Sequence, residues 1–183
     1  MIRITSGVYR GRRVFTGNAL KARPATSLIR EAIFNVLRSY ADIEGLRVCD
    51  IFCGSGSLTF EAISRGAVFS CLVDIDTTHL KLVQKTAASL GIENMLQLVC
   101  CDMNRLVSSD HRYDIAFVDP PFKEPKLIGV SLSALLGRGW CGSGSIVVLR
   151  VREGEHFVLP HEYKVICRRM YCGSEVIFLA VSA

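Results

Sequence analysis

No uncharged apolar run in this 183-residue chain approaches the roughly 18 residues of a membrane span, and its first residues lack the apolar core of a secretory signal. The eight cysteines, at 49, 53, 71, 100, 101, 141, 167 and 172, contain no C-x-x-C pair and no zinc-like Cys/His spacing, so a structural metal is not expected. Cys49, Cys71, Cys100 and Cys167 instead fall in apolar runs, where a reduced thiol behaves as a small hydrophobe. There is no internal repeat and no Pro/Ser/Gly-rich linker, and half of the residues are apolar, so the chain reads as one domain over 1–183 with a substantial core. These absences together predict a soluble protein of the reduced cytoplasm. His79, His111, His156 and His161 stand in polar or loop-like surroundings that suggest no role.

What is present is concentrated at the ends of apolar runs. Ile115-Ala116-Phe117-Val118 reads as a buried strand, and Asp119-Pro120-Pro121-Phe122 follows it. Prolines lack the backbone N–H that a sheet requires, so the strand ends there and presents a carboxylate and an aromatic ring in a stiff turn. Such a turn suits a flat heterocycle with an exocyclic amino group. Phe122 would stack on its face while Asp119 and the carbonyl of Pro120 accept from its N–H groups. Four residues alone also describe an ordinary strand-end turn.

Upstream, Val48-Cys49-Asp50-Ile51 runs into Phe52-Cys53-Gly54-Ser55-Gly56-Ser57, a glycine-rich turn before a helix-like segment, which reads as a ligand cradle. The next run, from Phe69 to Val73, ends in Asp74, at the spacing from Gly54 at which a second-strand carboxylate receives ribose hydroxyls. The dinucleotide pattern G-x-G-x-x-G fails at Thr59, and Asp50 beneath the turn would repel a pyrophosphate but attract an ammonium. S-adenosylmethionine, with an amino group, a sulfonium and no phosphate, fits a set made of Asp50, Asp74 and Asp102, each of which follows or ends an apolar strand. Taken singly, each aspartate also reads as a solvated loop residue.

Strands are expected at Arg47 to Phe52, Phe69 to Asp74, Leu96 to Cys101, Ile115 to Asp119, Ser145 to Val151, Tyr163 to Met170 and Glu175 to Val181. Helical periodicity marks Ser27 to Tyr40 and Thr77 to Leu90, with shorter helices after Gly56 and Leu127. Strands buried on both faces and separated by helices predict a doubly wound parallel α/β sheet, whose ligands bind at the carboxyl ends of the strands.

Charge is unevenly distributed. The chain carries +5, yet residues 1–40 hold Arg3, Arg10, Arg12, Arg13, Lys21, Arg23, Arg30 and Arg38 against Glu31 alone, or +7, leaving −2 for the remainder. A single-sign N-terminal segment interleaved with Tyr9 and Phe15 is a reasonable phosphate-binding footprint, and a solvated basic hairpin is its bland alternative. Arg150 and Arg152, placed beyond the fifth strand, are open to the same role, though solvation accounts for each.

The chain resembles the class I S-adenosylmethionine-dependent methyltransferases, and among them the bacterial RsmD family of 16S rRNA guanine-N2 methyltransferases. The resemblance runs from Ile2 to about Val181. It is carried by Arg3-Ile4-Thr5-Ser6-Gly7-Val8-Tyr9-Arg10-Gly11-Arg12, by Arg23-Pro24-Ala25-Thr26 leading into Ile29-Arg30-Glu31-Ala32-Ile33-Phe34-Asn35, by Asp50 to Leu58, by Glu61-Ala62-Ile63-Ser64-Arg65-Gly66-Ala67 and by Asp119 to Phe122. It implies a Rossmann-like, seven-stranded, mostly parallel sheet with helices on both faces and a final antiparallel strand. It also implies a small N-terminal hairpin and helix, with 1–40 as a basic RNA-binding extension in which Arg3, Arg10, Arg12, Arg13 and Arg23 contact RNA.

By the same resemblance, Asp50, Gly54 and Gly56 contact the methionine part of S-adenosylmethionine, Asp74 its ribose and Asp102 its adenine, while Asp119, Pro120 and Phe122 hold the target guanine. The implied partner is 16S rRNA in an assembling or assembled small ribosomal subunit, and the implied protein is a monomer that needs neither metal nor membrane. Cys53 stands where the family usually has alanine, Thr59 where it has glycine, Asp74 where it has glutamate and Ser27 where aspartate is common. Tyr171-Cys172-Gly173-Ser174 departs from the family's Tyr-Gly-x-Thr. An adenine-N6 or other amino-group methyltransferase on DNA or another RNA remains open, as does a non-catalytic RNA-binding module of this fold. A nicotinamide enzyme is disfavoured because Asp119 to Phe122 would have no use in it.

Overall fold

The structure, a computed structural model, describes residues 2–17 and 26–182. In chain order its elements are β1 (Ile2–Arg3), β2 (Arg13–Val14), α1 (Ser27–Leu37), β3 (Arg47–Ile51), α2 (Ser57–Ser64), β4 (Phe69–Asp74), α3 (Thr77–Leu90), β5 (Leu96–Cys100), β6 (Ile115–Val118), α4 (Lys126–Gly137), β7 (Ile146–Arg152), β8 (Tyr163–Tyr171) and β9 (Ser174–Val181). Seven strands form a sheet in the order β5-β4-β3-β6-β7-β9-β8, and β1 pairs with β2 in a separate antiparallel hairpin. The pairs β3–β4, β4–β5 and β6–β7 are parallel, whereas β9 runs antiparallel to β7 and β8. This is the mixed α/β class with a mostly parallel sheet that the sequence predicts. Contacts divide the chain into two compact units, Met1–Cys100 and Cys101–Ala183.

Local chemistry explains the boundaries in the first unit. Helix α3 spans the expected residues because Asp76 caps it, accepting from the amide of Thr78 at 2.7 Å, and Gly91 ends it in the left-handed region. Helix α1 is capped by Thr26 and stops at Leu37 rather than Tyr40, where Ser39 and Tyr40 donate to Val36 and Leu37 in a tighter three-residue turn. Burial is less uniform than the apolar runs suggest. Strand β5 has only half-buried and exposed residues because it lies at the sheet edge, and Cys100 at its end is an exposed thiol, not a buried one.

In the second unit α4 is a full helix of 12 residues. Strand β8, the other edge, exposes much of its length. Tyr171 to Ser174 is a two-residue hairpin turn between β8 and β9, with Cys172 at φ +48° and Gly173 at φ +79°, the paired left-handed geometry that follows the twist of the strands.

The N-terminal hairpin is bonded to α2. Ile4 and Val14 join the cluster formed by Phe60, Ile63, Leu72, Leu80 and Val83. Glu61, 1% exposed, accepts from the amide and hydroxyl of Thr5, each at 2.9 Å, and from Arg30 Nε at 3.2 Å, and it pairs with Arg65. Arg30 also donates to the carbonyl of Arg3 at 2.8 Å. Arg30 is therefore a buried partner of Glu61 and not part of a basic outer face, because burial requires that its charge be compensated. Tyr9, expected to interleave with the arginines, packs against the edge of the same apolar cluster. Gly7, at φ +84°, lies so close to α2 that a Cβ there would stand 1.7 Å from the carbonyl oxygen of Ser64.

Glu61→Ala is expected to cost about 3–5 kcal/mol in urea-induced unfolding, because it removes the carboxylate that Arg30 and Arg65 share. A loss below about 1 kcal/mol would place the anchoring of the hairpin elsewhere.

Candidate active site

In the first unit, the polar chemistry gathers where β3 and β4 end. The chain leaves β3 through Phe52 (φ +62°), Gly54 (φ +52°) and Gly56 (φ +69°), three left-handed residues within one turn, and α2 begins at Ser57 with no side-chain cap. Gly56 is needed twice over. Its backbone is left-handed, and a Cβ would stand 3.0 Å from Leu72, 3.1 Å from Val83 and 3.2 Å from Phe60.

Asp74 closes the turn. Its Oδ2 accepts from the amide of Gly54 at 2.8 Å and lies 3.1 Å from His79 Nδ1, while Oδ1 accepts from the amide of Asp76 at 2.9 Å. Sequence reasoning assigned His79 no role. It lies in the first turns of α3, five residues beyond the strand-end carboxylate, and that short strand-to-helix spacing is the signal that places it beside Asp74.

Asp50 lies inside β3, 2% exposed, and its Oδ2 accepts from the amide of Thr59 at 3.3 Å and from its hydroxyl at 3.0 Å. The residue that breaks the dinucleotide pattern thus supplies a hydroxyl to this buried carboxylate. Cys53 is also buried in this turn. Burial first, then the charges of Asp50 and Asp74, hold its thiol well above its ordinary pKa, so it stays protonated and unreactive.

Asp102 belongs to the second unit. It caps the short turn Met103–Arg105, and Oδ1 accepts from the backbone amide of Asn104 at 2.9 Å and from its side-chain Nδ2 at 2.8 Å. Those hydrogen bonds hold its pKa below the usual carboxylate value.

The turn after β6 holds the remaining candidates. Val118 pairs in register with Leu149 of β7, so the residues that follow them, Asp119 just past the end of β6 and Arg150 within β7, lie side by side. Arg150 Nη1 donates to Asp119 Oδ2 at 2.7 Å, and its guanidinium carbon lies 5.3 Å from the centroid of the Phe122 ring. Arg150 is thus inside β7, its side chain only 11% exposed, and solvation does not explain it. The exposed Arg152 does end the strand as a surface residue. Burial pushes the carboxyl of Asp119 above its ordinary pKa, and Arg150 opposes that rise. Pro120 is buried, whereas Phe122 is 39% exposed. The turn offers a carboxylate held on one oxygen beside an accessible aromatic face.

Arg3, Arg10, Arg12 and Arg13 are all exposed on or near the hairpin. Arg3 Nη1 donates to the carbonyl of Gly11, and Arg12 Nη2 to that of Ser89, each at 2.7 Å. Arg13 and Lys85 both lie against the Phe15 ring, at 5.1 and 4.6 Å from its centroid, so Lys85 adds a cation to this face that the N-terminal charge count omits. Arg23 lies outside the described residues.

Gly56→Ala is expected to destabilise the protein by about 1–3 kcal/mol, read from its denaturation midpoint, because the left-handed backbone and the crowded Cβ act together. An unchanged midpoint would show that the turn can relax.

The family model described as conserved hypothetical protein 95 matches residues 2–180. An uncharacterized methylase of Rickettsia prowazekii is 27% identical over 100% of this chain and 99% of its own. Ribosomal RNA small subunit methyltransferase D of Buchnera aphidicola subsp. Acyrthosiphon pisum is 31% identical over 88% of this chain and 84% of its own. Among solved structures, yhhF from Escherichia coli superimposes with a TM-score of 0.87 at 26% identity, covering 100% of this chain and 98% of that one. The chain therefore belongs to the conserved hypothetical protein 95 family and is a methyltransferase of the ribosomal RNA small subunit methyltransferase D type.

Proposed function

We propose that this chain transfers a methyl group from S-adenosylmethionine to the exocyclic N2 of a guanine in 16S rRNA of the small ribosomal subunit. The observation that carries this reading is the turn after β6. Asp119 stands at the end of a buried strand with Oδ2 held by Arg150, beside the Pro120 carbonyl and the accessible ring of Phe122. An exocyclic amine has two N–H donors and a flat ring attached, and this turn provides two acceptors and a flat partner.

The glycine turn fits the cofactor. Asp74 bonds to the turn and Asp50 lies buried in β3 just before it, two carboxylates that favour an ammonium over a pyrophosphate, and Gly56 keeps the backbone where a side chain would collide. In this reading Asp50, Gly54 and Gly56 hold the methionine portion, Asp74 the ribose and Asp102 the adenine. Bound there, S-adenosylmethionine supplies an already activated methyl group, and the transfer calls for no metal.

The residues of the chain then align and stabilise. Phe122 stacks on the base, while Asp119 and the Pro120 carbonyl accept from the amine and disperse the positive charge that develops on it. Asp119 acts as an acceptor rather than a full general base, because a carboxylate is a weak base for an amine proton that can leave after transfer. The exposed Arg3, Arg10, Arg12 and Arg13, with Arg23, form the RNA-binding face of a 1–40 extension on a single methyltransferase domain, and the protein works as a monomer in the cytoplasm.

The test is transfer of labelled methyl to small ribosomal subunits that lack the modification, with naked 16S rRNA as control, followed by nucleoside analysis. Label in N2-methylguanosine is expected; label in N6-methyladenosine would replace the base, and no label despite cofactor binding would remove this substrate. Asp119→Ala is expected to bind cofactor normally in calorimetry and to lose about 100-fold or more in turnover, whereas equal loss of both would contradict its role. If four arginines each neutralise one phosphate, RNA affinity should fall with a log–log salt slope of roughly −3 to −4. A slope near zero would remove the hairpin from the RNA interface.

A further inference from the structure

We infer that Arg150 is the positioning residue of the amine-accepting turn: it holds Oδ2 of Asp119 and flanks Phe122, leaving Oδ1 and the open ring face to the incoming base. This rests on the reading of Asp119 as the acceptor of the target amine.

The placement of Arg150 is imposed by the sheet. Its neighbours Leu149 and Val151 are 0% and 1% exposed, and its strand partner in β9 is the buried Val176, so the backbone from which the guanidinium departs is fixed on both sides. The side chain reaches Asp119 at 2.7 Å, a charge-assisted distance, and places its guanidinium carbon 5.3 Å from the Phe122 ring centroid. Nε of Arg150 is buried with no hydrogen-bond partner among the described residues. The contacts that its guanidinium does make are with the carboxylate of Asp119 and the ring of Phe122.

Two ambiguities follow if Arg150 is removed. A carboxylate turns readily about its terminal torsion, which is broad and roughly two-fold, so either oxygen could face the amine in a range of orientations. Burial also favours the neutral acid, and a protonated carboxyl offers an O–H donor toward an amine that is itself a donor. Arg150 removes both. The guanidinium anchors the carboxylate through Oδ2, which leaves Oδ1 as the oxygen for the amine, and favours its charged, acceptor-only form, and its place against Phe122 restricts the base to the ring face it does not cover. Among the described residues, Arg150 is the charged side chain that acts on Asp119. A purely structural ion pair in β7 would share the geometry but would leave the pH dependence of the reaction unaffected.

The experiment compares wild type, Arg150→Met, which keeps the length of the stem without the charge, and Arg150→Lys, which restores charge without the fork. Titration of 13C-labelled aspartate carboxyls by NMR reads Asp119 directly, and thermal melting confirms that each variant is folded. In Arg150→Met the midpoint of Asp119 is expected to move upward, and in Arg150→Lys to return part of the way. The acid limb of kcat for methyl transfer should move upward with it, since the ionised acceptor is lost as pH falls through that midpoint.

At the pH optimum, kcat of Arg150→Met should fall about 10- to 100-fold while cofactor affinity stays unchanged in calorimetry. An unmoved Asp119 midpoint, or an unmoved acid limb in an active Arg150→Met, would overturn the inference. If wild type transfers no methyl, the methyltransferase reading fails by itself, and the NMR titration still decides whether Arg150 governs Asp119. If Arg150→Met does not fold, the Asp119 midpoint and acid limb of Arg150→Lys, expected to rise above wild type, decide it; coincidence with wild type overturns it.

Discussion

A carboxylate at the end of a buried strand has lost much of its water, and the protein must replace what the water did. The replacements differ, and each differs with a purpose. Asp50 receives a hydroxyl and an amide from Thr59, which ties β3 to the first turns of α2. Asp74 receives the amide of Gly54 and the imidazole of His79, which ties the glycine turn to α3. Asp119 receives a guanidinium, the one replacement among the three that brings a full and permanent charge. The first two partners shape a backbone turn, whereas the third opposes the rise in pKa that burial imposes on Asp119.

The same rule organises the N-terminal segment. Glu61 is 1% exposed, and it is compensated by Thr5, Arg30 and Arg65, drawn from the hairpin, α1 and the end of its own helix. The arginines of the first 40 residues are thereby sorted by what they face. Arg30 faces a buried carboxylate, and Arg3, Arg10, Arg12 and Arg13 face solvent. Fixing the hairpin on α2 gives the exposed group a defined base, with Phe15, against which Arg13 and Lys85 both lie, as its aromatic element.

Much of the fold could be read from the chain because apolar runs and their punctuation are local. The strands ending at Asp74 and at the Pro120-Pro121 pair, and α3 between Asp76 and Gly91, lie within a residue of where periodicity and capping place them. What escaped depends on partners far apart in sequence. Arg150 reads as a solvated cation until β6 and β7 are aligned, when it becomes the residue facing Asp119, 31 positions away. Arg30 counts as a surface charge until Glu61 is seen, also 31 positions on. Cys100 looks buried because its run is apolar, yet an edge strand has a neighbour on one side only. His79 offered no signal in composition, and its pairing follows from the short step from β4 into α3.

A crystal structure of the protein with S-adenosylhomocysteine and a guanosine-containing oligonucleotide would show whether the turn from Asp119 to Phe122, set by Arg150, receives the amine of a base. Guanine is expected stacked on Phe122, its N2 within hydrogen-bonding distance of Asp119 Oδ1 and of the Pro120 carbonyl, with Arg150 still on Oδ2. A base bound away from this turn, or an Arg150 that has left Asp119 to admit it, would show that neither the turn nor its arginine receives the amine.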